Sequence, residues 1–158
     1  KFDYQYGINT VDMGFKKTTT YGTFRCPIEQ LRASIPTKNG KVLMEIEDAP
    51  VYQFMVALMN QTSTENGEKL YYDYLCHRNP KLNKNTFAQV KQRKIKLIES
   101  IRSDQELNVG IVTRPPRWCP MSQTHTIKIR DGLHRSIILK TLQIKTIKCL
   151  VQFLVLEV

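Results

Sequence analysis

The stretch Ile127-Lys-Ile-Arg-Asp-Gly-Leu-His-Arg-Ser136 brings the patterns of a strand, a tight turn and a helix next to one another. Its first four residues alternate isoleucine with a basic residue, which is the period of a half-buried strand. Asp131-Gly132 is a turn signal, and from Leu133 to Leu142 apolar side chains recur on one helical face. Residues 144–155 then resume a strand-rich pattern. We therefore predict a strand, a turn, a helix and a second strand over Thr126 to Val155.

The turn of this unit carries the chemistry of an anion site. A glycine turn that leads from a strand into a helix exposes unpaired backbone N–H groups at the positive end of the helix dipole, where a phosphate binds well. His134, Arg135 and Ser136 add side-chain donors in the first helical turn. Asp131, at the strand end, can hold a metal ion or accept a proton. The alternative is that Asp131 only caps the helix through its side-chain oxygen.

Two segments of the chain resemble a known family. Asp131-Gly-Leu-His-Arg135, between a hydrophobic strand and a helix, is similar to the signature of the ParB/sulfiredoxin superfamily, whose Gly-x-x-Arg or Gly-x-His-Arg turn holds nucleotide phosphates. Its Asp-Gly-x-His-Arg form looks most like the branch that contains the free-serine kinase. Pro27-Ile-Glu-Gln-Leu-Arg32 resembles the opening segment of the family. The resemblance implies one compact α/β (α+β) domain over residues 1–158, with a small mixed sheet flanked by helices.

The resemblance also implies a function, a nucleotide-dependent phosphotransferase that acts on a small hydroxyl-bearing acceptor. The nucleotide would be ATP or ADP, with CTP as a further candidate, and Mg²⁺ would accompany it. Asp131 would accept the acceptor's proton or bind Mg²⁺, and His134 would assist catalysis. The phosphates would be held by the turn residues Gly132, Leu133, His134, Arg135 and Ser136.

In this branch an early acidic residue is implied as catalytic. We assign Glu47 to that role, and the alternatives Glu29, Glu45 and Asp48 stay open. Two departures from other branches narrow the function. Leu133 stands where sulfiredoxins place a catalytic cysteine, which argues against sulfinic-acid reduction. A histidine at 134 replaces the first of the two adjacent arginines of partition proteins, which argues against partition.

The charge of the chain is uneven. The formal net charge is +10, and residues 1–76 hold 8 Lys/Arg against 9 Asp/Glu, whereas residues 77–158 hold 16 against 5. This excess predicts an anionic partner, and solubility alone is the plainer explanation. The alternative function is a ParB-like DNA-associated module that binds nucleotide, either a CTPase clamp or a nuclease. A nucleotide sensor without catalysis is a third hypothesis.

Two further features are candidate contacts. A predicted helix over residues 87–102 has a basic face of Lys91, Arg93, Lys94 and Lys96. We interpret this face as exposed to solvent, and the alternative is that it contacts nucleic acid. The proline-rich loop 114–120 offers Arg114, Arg117 and Trp118 as substrate-binding residues that overhang the same pocket. Tyr71, Tyr72 and Tyr74 can line that pocket, although packed rings are the commoner use of such tyrosines.

The composition, 41% hydrophobic and 24% charged, is ordinary for a globular protein, and no apolar run approaches the roughly 20 residues of a membrane span. We see no signal peptide at the start and expect a cytoplasmic protein. The four scattered cysteines, without a Cys-x-x-Cys pair, are predicted to be free thiols. Periodicity elsewhere predicts strands at 2–8 and 109–113, a loop or sheet edge at 16–20, a helix from Pro27, a turn at 38–40, and helices at 50–60 and 68–77.

Overall fold

The computed structural model describes residues 5–10, 16–104 and 110–157, and side chains from 21 to 104 and from 110 to 153. In these residues, four strands are followed by three α-helices, three strands, a fourth α-helix and a last strand. The strands and helices, in chain order, are β1 (Gln5–Thr10), β2 (Lys16–Pro27), β3 (Leu31–Thr37), β4 (Gly40–Glu45), α1 (Tyr52–Asn60), α2 (Glu65–Arg78), α3 (Lys84–Ser103), β5 (Ile111–Thr113), β6 (Arg117–Cys119), β7 (Thr124–Asp131), α4 (Leu133–Thr141) and β8 (Thr146–Glu157).

The described strands form one sheet in the order β1-β2-β8-β5-β7-β3-β4, and β6 pairs with β7 beside this path. The pairs β3–β7 and β5–β8 are parallel, and the other pairs are antiparallel. β7, the predicted strand of the motif, therefore lies between β3 and β5. The predicted α/β class with a mixed sheet is confirmed.

Alternation along the strands gives the sheet two different faces. Ile127 and Ile129 of β7 are 1% and 4% exposed, and they join the buried residues of α1 to α4 in one core. The neighbouring Lys128 and Arg130 point the other way and are half-buried and exposed. We call these the helix-covered face and the open face. The helices thus leave one side of the sheet accessible.

The first two helices cross at unusually close range. A Cβ atom on Gly67 of α2 would lie 2.6 Å from the backbone nitrogen of Phe54 in α1. Phe54 is fully buried, and its ring packs tilted against Tyr71 and Phe87 at centroid distances of 5.6 Å and 5.8 Å. The missing side chain of Gly67 thus lets the two backbones meet and closes the core around this aromatic cluster.

The strand–turn–helix–strand unit is confirmed as β7, α4 and β8. The turn at 38–40 is also confirmed, and it joins β3 to β4 with Gly40 at φ +109°. The helix predicted over 50–60 begins at Tyr52, and the one predicted over 68–77 begins earlier, at Glu65. Residues 1–4 and 105–109 lie outside the described residues, so the predicted strands at 2–8 and 109–113 are seen only as β1 and β5.

Three predictions are wrong in detail. The helix predicted from Pro27 is only a 3-10 turn, Ile28–Gln30, because the alternating buried residues that follow form β3 between β4 and β7. Residues 16–20 are not a loop or edge but part of β2, which pairs with both β1 and β8. The helix predicted over residues 87–102 begins earlier, at Lys84, because Asn83 caps it: the Asn83 side chain accepts from the Thr86 N–H at 2.9 Å.

Within the described residues, no helix combines the length and apolar character that crossing a membrane requires. All four cysteines are free, as predicted. Cys26 and Cys149 are buried on adjacent strands, where their mutual hydrogen bond and burial raise the pKa of the Cys26 thiol.

Candidate anion site at the turn between β7 and α4

Gly132 gives this turn its shape. Its φ of +98° belongs to the left-handed region, which glycine adopts without the steric cost of a side chain. A Cβ atom here would lie 3.1 Å from Ile111 Cγ1 and 3.2 Å from the Gly110 oxygen. The turn is therefore pressed against the start of β5, and the sequence Asp-Gly is needed for both its angle and its packing.

The amino end of α4 faces outward from this turn without a side-chain cap. The first hydrogen bond of the helix runs from Ser136 N to Gly132 O at 2.8 Å. The N–H groups of Leu133, His134 and Arg135 precede that bond, so they have no acceptor within the helix. The alternative in which Asp131 caps α4 is wrong, because Gly132 occupies the cap position and no side chain accepts there.

A cavity of about 320 Å³ surrounds the turn. It is lined by residues 129–135, by Ser34 of β3, and by Lys94 and Leu97 of α3. Among the described residues, its charged side chains are three cations, Lys94, Arg130 and Arg135, and one carboxylate, Asp131. Together with the amino end of α4, this lining makes the cavity strongly positive.

The cations of the cavity repel one another. The pKa of Lys94 is lowered first by burial and then by the charges of Arg93 and Arg135. Arg135 Nη1 donates to the Gly110 carbonyl oxygen and lies 3.9 Å from Asp131 Oδ2. Since the Asp131 side chain is 74% exposed and its ion pair is long, it neutralises little of this charge.

His134 is neutral near pH 7 in this environment. Burial lowers its pKa to about 4, and the charges of Lys94 and Arg135 act in the same direction. Its Nε2 atom lies 3.4 Å from the hydroxyl oxygen of Tyr71, whose own pKa is raised by burial to about 12. His134 can therefore offer a hydrogen bond to an anion but contributes no positive charge unless a bound anion raises its pKa.

The other two predicted phosphate-binding residues contribute backbone at most. Ser136 is fully buried, and its hydroxyl donates to Gly132 O at 2.9 Å. The Leu133 side chain packs against the small cluster formed by Ala33, Ile35 and Ala49. Of the polar groups of these two residues, the backbone N–H of Leu133 is therefore the one that a ligand can reach.

The structure does not bring Glu47 and Asp131 together. Glu47 forms an ion pair with Lys140, in the last turn of α4, whereas Asp131 precedes the first turn. Eight residues of helix separate the two ends by about 12 Å. Burial opposes ionisation of Glu47, yet the hydrogen bond and charge of Lys140 lower its pKa overall.

The other acidic candidates also lie elsewhere. Glu45 forms an ion pair with Arg32 at 3.0 Å, and neither Glu29 nor Asp48 lines the cavity. In the described part of the chain, no group of three or more His, Cys, Asp or Glu side chains can hold a metal ion. Asp131 fits a Mg²⁺ ion only in the way that nucleotide sites often do, with one carboxylate and the phosphates as ligands.

The proline-rich loop lines a different cavity. Arg114 and Arg117 border a space of about 660 Å³ on the open face, and Ser34 is shared between it and the cavity at the turn. Trp118 lines neither; its ring is 57% exposed and packs edge-on against His125. The prediction that this loop overhangs the pocket of the turn is therefore wrong.

The predicted tyrosines are mainly packing residues. Tyr71 is 6% exposed within the aromatic cluster, and Tyr72 packs edge-on against Phe87. Sequence reasoning missed Lys94 and Arg130 as cavity residues. The alternation of Ile127 to Arg130 was the available signal for Arg130, whereas Lys94 depends on how α3 packs beside the turn.

Comparison of the chain with protein-family models, with curated proteins and with solved structures finds no match.

Proposed function

We propose that the chain is a nucleotide-dependent phosphotransferase that acts on a small hydroxyl-bearing acceptor, with the nucleotide phosphates at the turn between β7 and α4. The observation that carries the proposal is the cavity in which the free amino end of a helix meets Lys94, Arg130 and Arg135 beside one exposed carboxylate. Phosphoryl transfer relies on such positioning and neutralisation of charge. The resemblance of Asp131-Gly-Leu-His-Arg135 to nucleotide-binding turns supports the same assignment.

In this proposal the phosphates meet two kinds of donor. The N–H groups of Leu133 and His134 point along the axis of α4 toward the cavity, where the helix dipole favours negative charge. The guanidinium groups of Arg130 and Arg135 form paired hydrogen bonds with phosphate oxygens, and Lys94 supplies a point charge. A bound polyphosphate would relieve the repulsion among these three cations.

Asp131 supplies the carboxylate that acts as general base in the reaction. The acceptor hydroxyl oxygen attacks the terminal phosphorus, the bond from that phosphorus to the shortened nucleotide breaks, and Asp131 takes the hydroxyl proton. Alternatively, Asp131 would help the phosphates to hold an Mg²⁺ ion, which would neutralise charge on the departing oxygen. Glu47 has no part in this proposal, because Lys140 holds it at the far end of α4.

Isothermal titration with ATP, ADP and CTP in the presence of Mg²⁺ tests the binding step. Wild type should bind at least one nucleotide with micromolar affinity, and Arg130→Gln should weaken it about tenfold, as expected for the loss of one charge-assisted contact. Arg130 is exposed, so this variant disturbs the fold less than Arg135→Ala, which also loses the bond to Gly110. Lys69→Gln, an exposed lysine on α2, is the control for net charge.

Absence of binding for all three nucleotides, or equal affinity in Arg130→Gln and Lys69→Gln, would contradict the proposed site. The catalytic step needs a separate measurement, transfer of labelled phosphate to a panel of small alcohols. Asp131→Asn should retain nucleotide binding and lose transfer. Full transfer by this variant would remove Asp131 from catalysis, and binding without transfer by wild type would favour a nucleotide sensor.

A further inference from the structure

The open face of the sheet carries a second concentration of positive charge, which adjoins the turn cavity and shares Arg130 with it. The cavity of about 660 Å³ on this face is lined by Lys41 of β4, Lys128 of β7, Arg117 of β6, and Arg114, which precedes β6. Arg130 of β7 lies near enough for its charge to lower the pKa of both Lys128 and Arg114. We call these five residues the basic groove.

Ion pairs with described residues do not neutralise the basic groove, although Asp131 lines the turn cavity together with Arg130. Among the described residues, none of its five cations forms an ion pair, and the carboxylate that shares the open face, Glu45, is already paired with Arg32 at 3.0 Å. The pKa of Lys128 is lowered by burial and by Lys41, Arg114, Arg130 and Arg117. Burial, Arg130 and Arg117 lower the pKa of Arg114 in the same way. The fold therefore keeps these charges together against their repulsion.

The positive charge continues past the cavity. Arg25 of β2 and Lys148 of β8 face each other in the strand register and are both exposed on the open face. From β2 to β4 the sheet path crosses six strands, which at about 4.8 Å per strand spacing spans roughly 24 Å. That is longer than a mononucleotide or a sugar phosphate, so the arrangement matches an extended polyanion.

Apolar side chains lie between the cations. Leu43 of β4 is 51% exposed and lines the cavity, and Leu150 of β8 is 41% exposed beside the half-buried Val112 of β5. Lys128 is half-buried in the lining of the same cavity. A single-stranded nucleic acid fits these features best. Its phosphates would contact the cations, and its unpaired bases would pack against the apolar side chains.

We propose that the open face of the sheet binds single-stranded nucleic acid through its sugar-phosphate backbone, with the basic groove as the centre of the contact. Arginines predominate here, and their planar guanidinium groups suit phosphate oxygens. This surface is distinct from the basic face of α3. There Lys91 is paired with Glu68 at 2.5 Å, and Lys94 turns toward the cavity at the turn.

Fluorescence anisotropy with a labelled single strand of about 16 nucleotides, DNA and RNA in turn, tests this proposal on the whole chain. The groove variant is Arg114→Gln with Lys128→Gln. The matched control is Arg93→Gln with Lys96→Gln, two exposed residues of α3 whose loss changes the net charge equally. Wild type and control should bind alike, and the groove variant should bind at least about tenfold more weakly.

A salt titration from about 50 mM to about 200 mM adds a second readout. The slope of log affinity against log salt should fall in magnitude by about 1.4 in the groove variant, because about 0.7 of a counterion is released per phosphate contact on a single strand. Equal losses in both double variants would overturn the proposal, since net charge alone would then explain binding. Absence of binding, tighter binding to duplex of the same sequence, or preference for phosphatidylserine vesicles would also overturn it.

Binding at the turn and binding at the groove can fail independently. Arg135→Ala lies outside the basic groove, so it should leave the oligonucleotide affinity within about twofold of wild type while it weakens nucleotide binding. Loss of oligonucleotide binding in this variant, with its fold intact by circular dichroism, would contradict the placement on the open face.

Discussion

At the scale of single residues, Gly132 controls the geometry of the turn. Gly132→Ala should lower the free energy of unfolding by about 1–3 kcal/mol, because alanine at φ +98° is strained and its Cβ would crowd Ile111. Gly110→Ala is the control: among the described residues, a Cβ atom there meets only Arg135 Nη1, at an ordinary 3.6 Å. Urea denaturation measures both. Equal effects of the two changes would show that the turn does not require glycine.

His134 predicts how stability depends on pH. Folding lowers the pKa of His134 from 6.5 to about 4. Between pH 6.5 and about pH 4, His134 is therefore protonated in the unfolded chain and neutral in the folded protein. Stability from this residue is therefore present above about pH 6.5 and is lost as the pH falls toward 4, by as much as about 3 kcal/mol. His134→Gln should lose less stability than wild type across this range in urea denaturation. Parallel curves for the two proteins would contradict the neutral, buried state of His134.

At the scale of secondary-structure elements, Gly67 sets the distance between α1 and α2. Gly67→Ala should destabilise the fold by about 1–3 kcal/mol, because its Cβ would meet backbone atoms of Phe54, which cannot swing aside as a side chain can. Asn66→Ala, an exposed neighbour in the same helix, should be neutral or slightly stabilising owing to the helix propensity of alanine. Thermal melting of both variants measures the difference. A Gly67→Ala protein as stable as Asn66→Ala would mean that the two helices can separate without cost.

Elements whose patterns are complete within a short segment could be predicted from the sequence. The β7–α4–β8 unit shows both a strand period and a helix period on either side of a glycine, and its prediction is confirmed. The segment after Pro27 could not be predicted in the same way, because a proline and one apolar pair suit a helix start as well as a 3-10 turn. Its outcome depends on β7, a strand about 100 residues later.

The candidate site was predictable only in part for the same reason. The turn residues are adjacent in sequence, so their grouping needed no tertiary information. The pairing of Glu47 with Lys140 and the arrival of Lys94 beside the turn depend on how α1, α3 and α4 pack. The burial of Ser136 follows from which face of α4 meets the core, and a polar residue in the first turn gave no sign of it.

At the scale of the whole molecule, concentrated positive charge should limit stability. Lys128→Gln should raise the melting temperature, by an amount equivalent to a few tenths of a kcal/mol to about 1 kcal/mol, since it removes one charge from the basic groove. The folded state lowers the pKa of Lys128, so protonated Lys128 destabilises at neutral pH and the penalty disappears as the pH rises through that lowered pKa. The gap between variant and wild type should therefore narrow toward pH 10.

Lys69→Gln serves as the reference for this comparison, because Lys69 is exposed on α2 and lies outside both cavities. Differential scanning fluorimetry at pH 7 and pH 10 provides the melting temperatures. A Lys128→Gln protein less stable than wild type at pH 7 would show that the lysine makes a favourable contact in the groove. If Lys128→Gln is more stable than wild type and binds single-stranded nucleic acid more weakly, then the charge of Lys128 serves ligand binding at the expense of stability.

The long ladder between β2 and β8 has a consequence for the order of folding during synthesis. Tyr21 and Gln152 are hydrogen-bonded partners 131 residues apart in the chain, and every pair of this ladder joins early to late residues. Contacts of such separation slow folding, because a large loop must close before they form. While the ribosome is still translating, the growing chain can complete the β1–β2 hairpin and the α1–α3 segment, but β2 exposes an unpaired edge until residues 146–157 emerge. An exposed edge of this kind is a site of aggregation and of chaperone binding, so a strand that is synthesised late protects one that is synthesised much earlier.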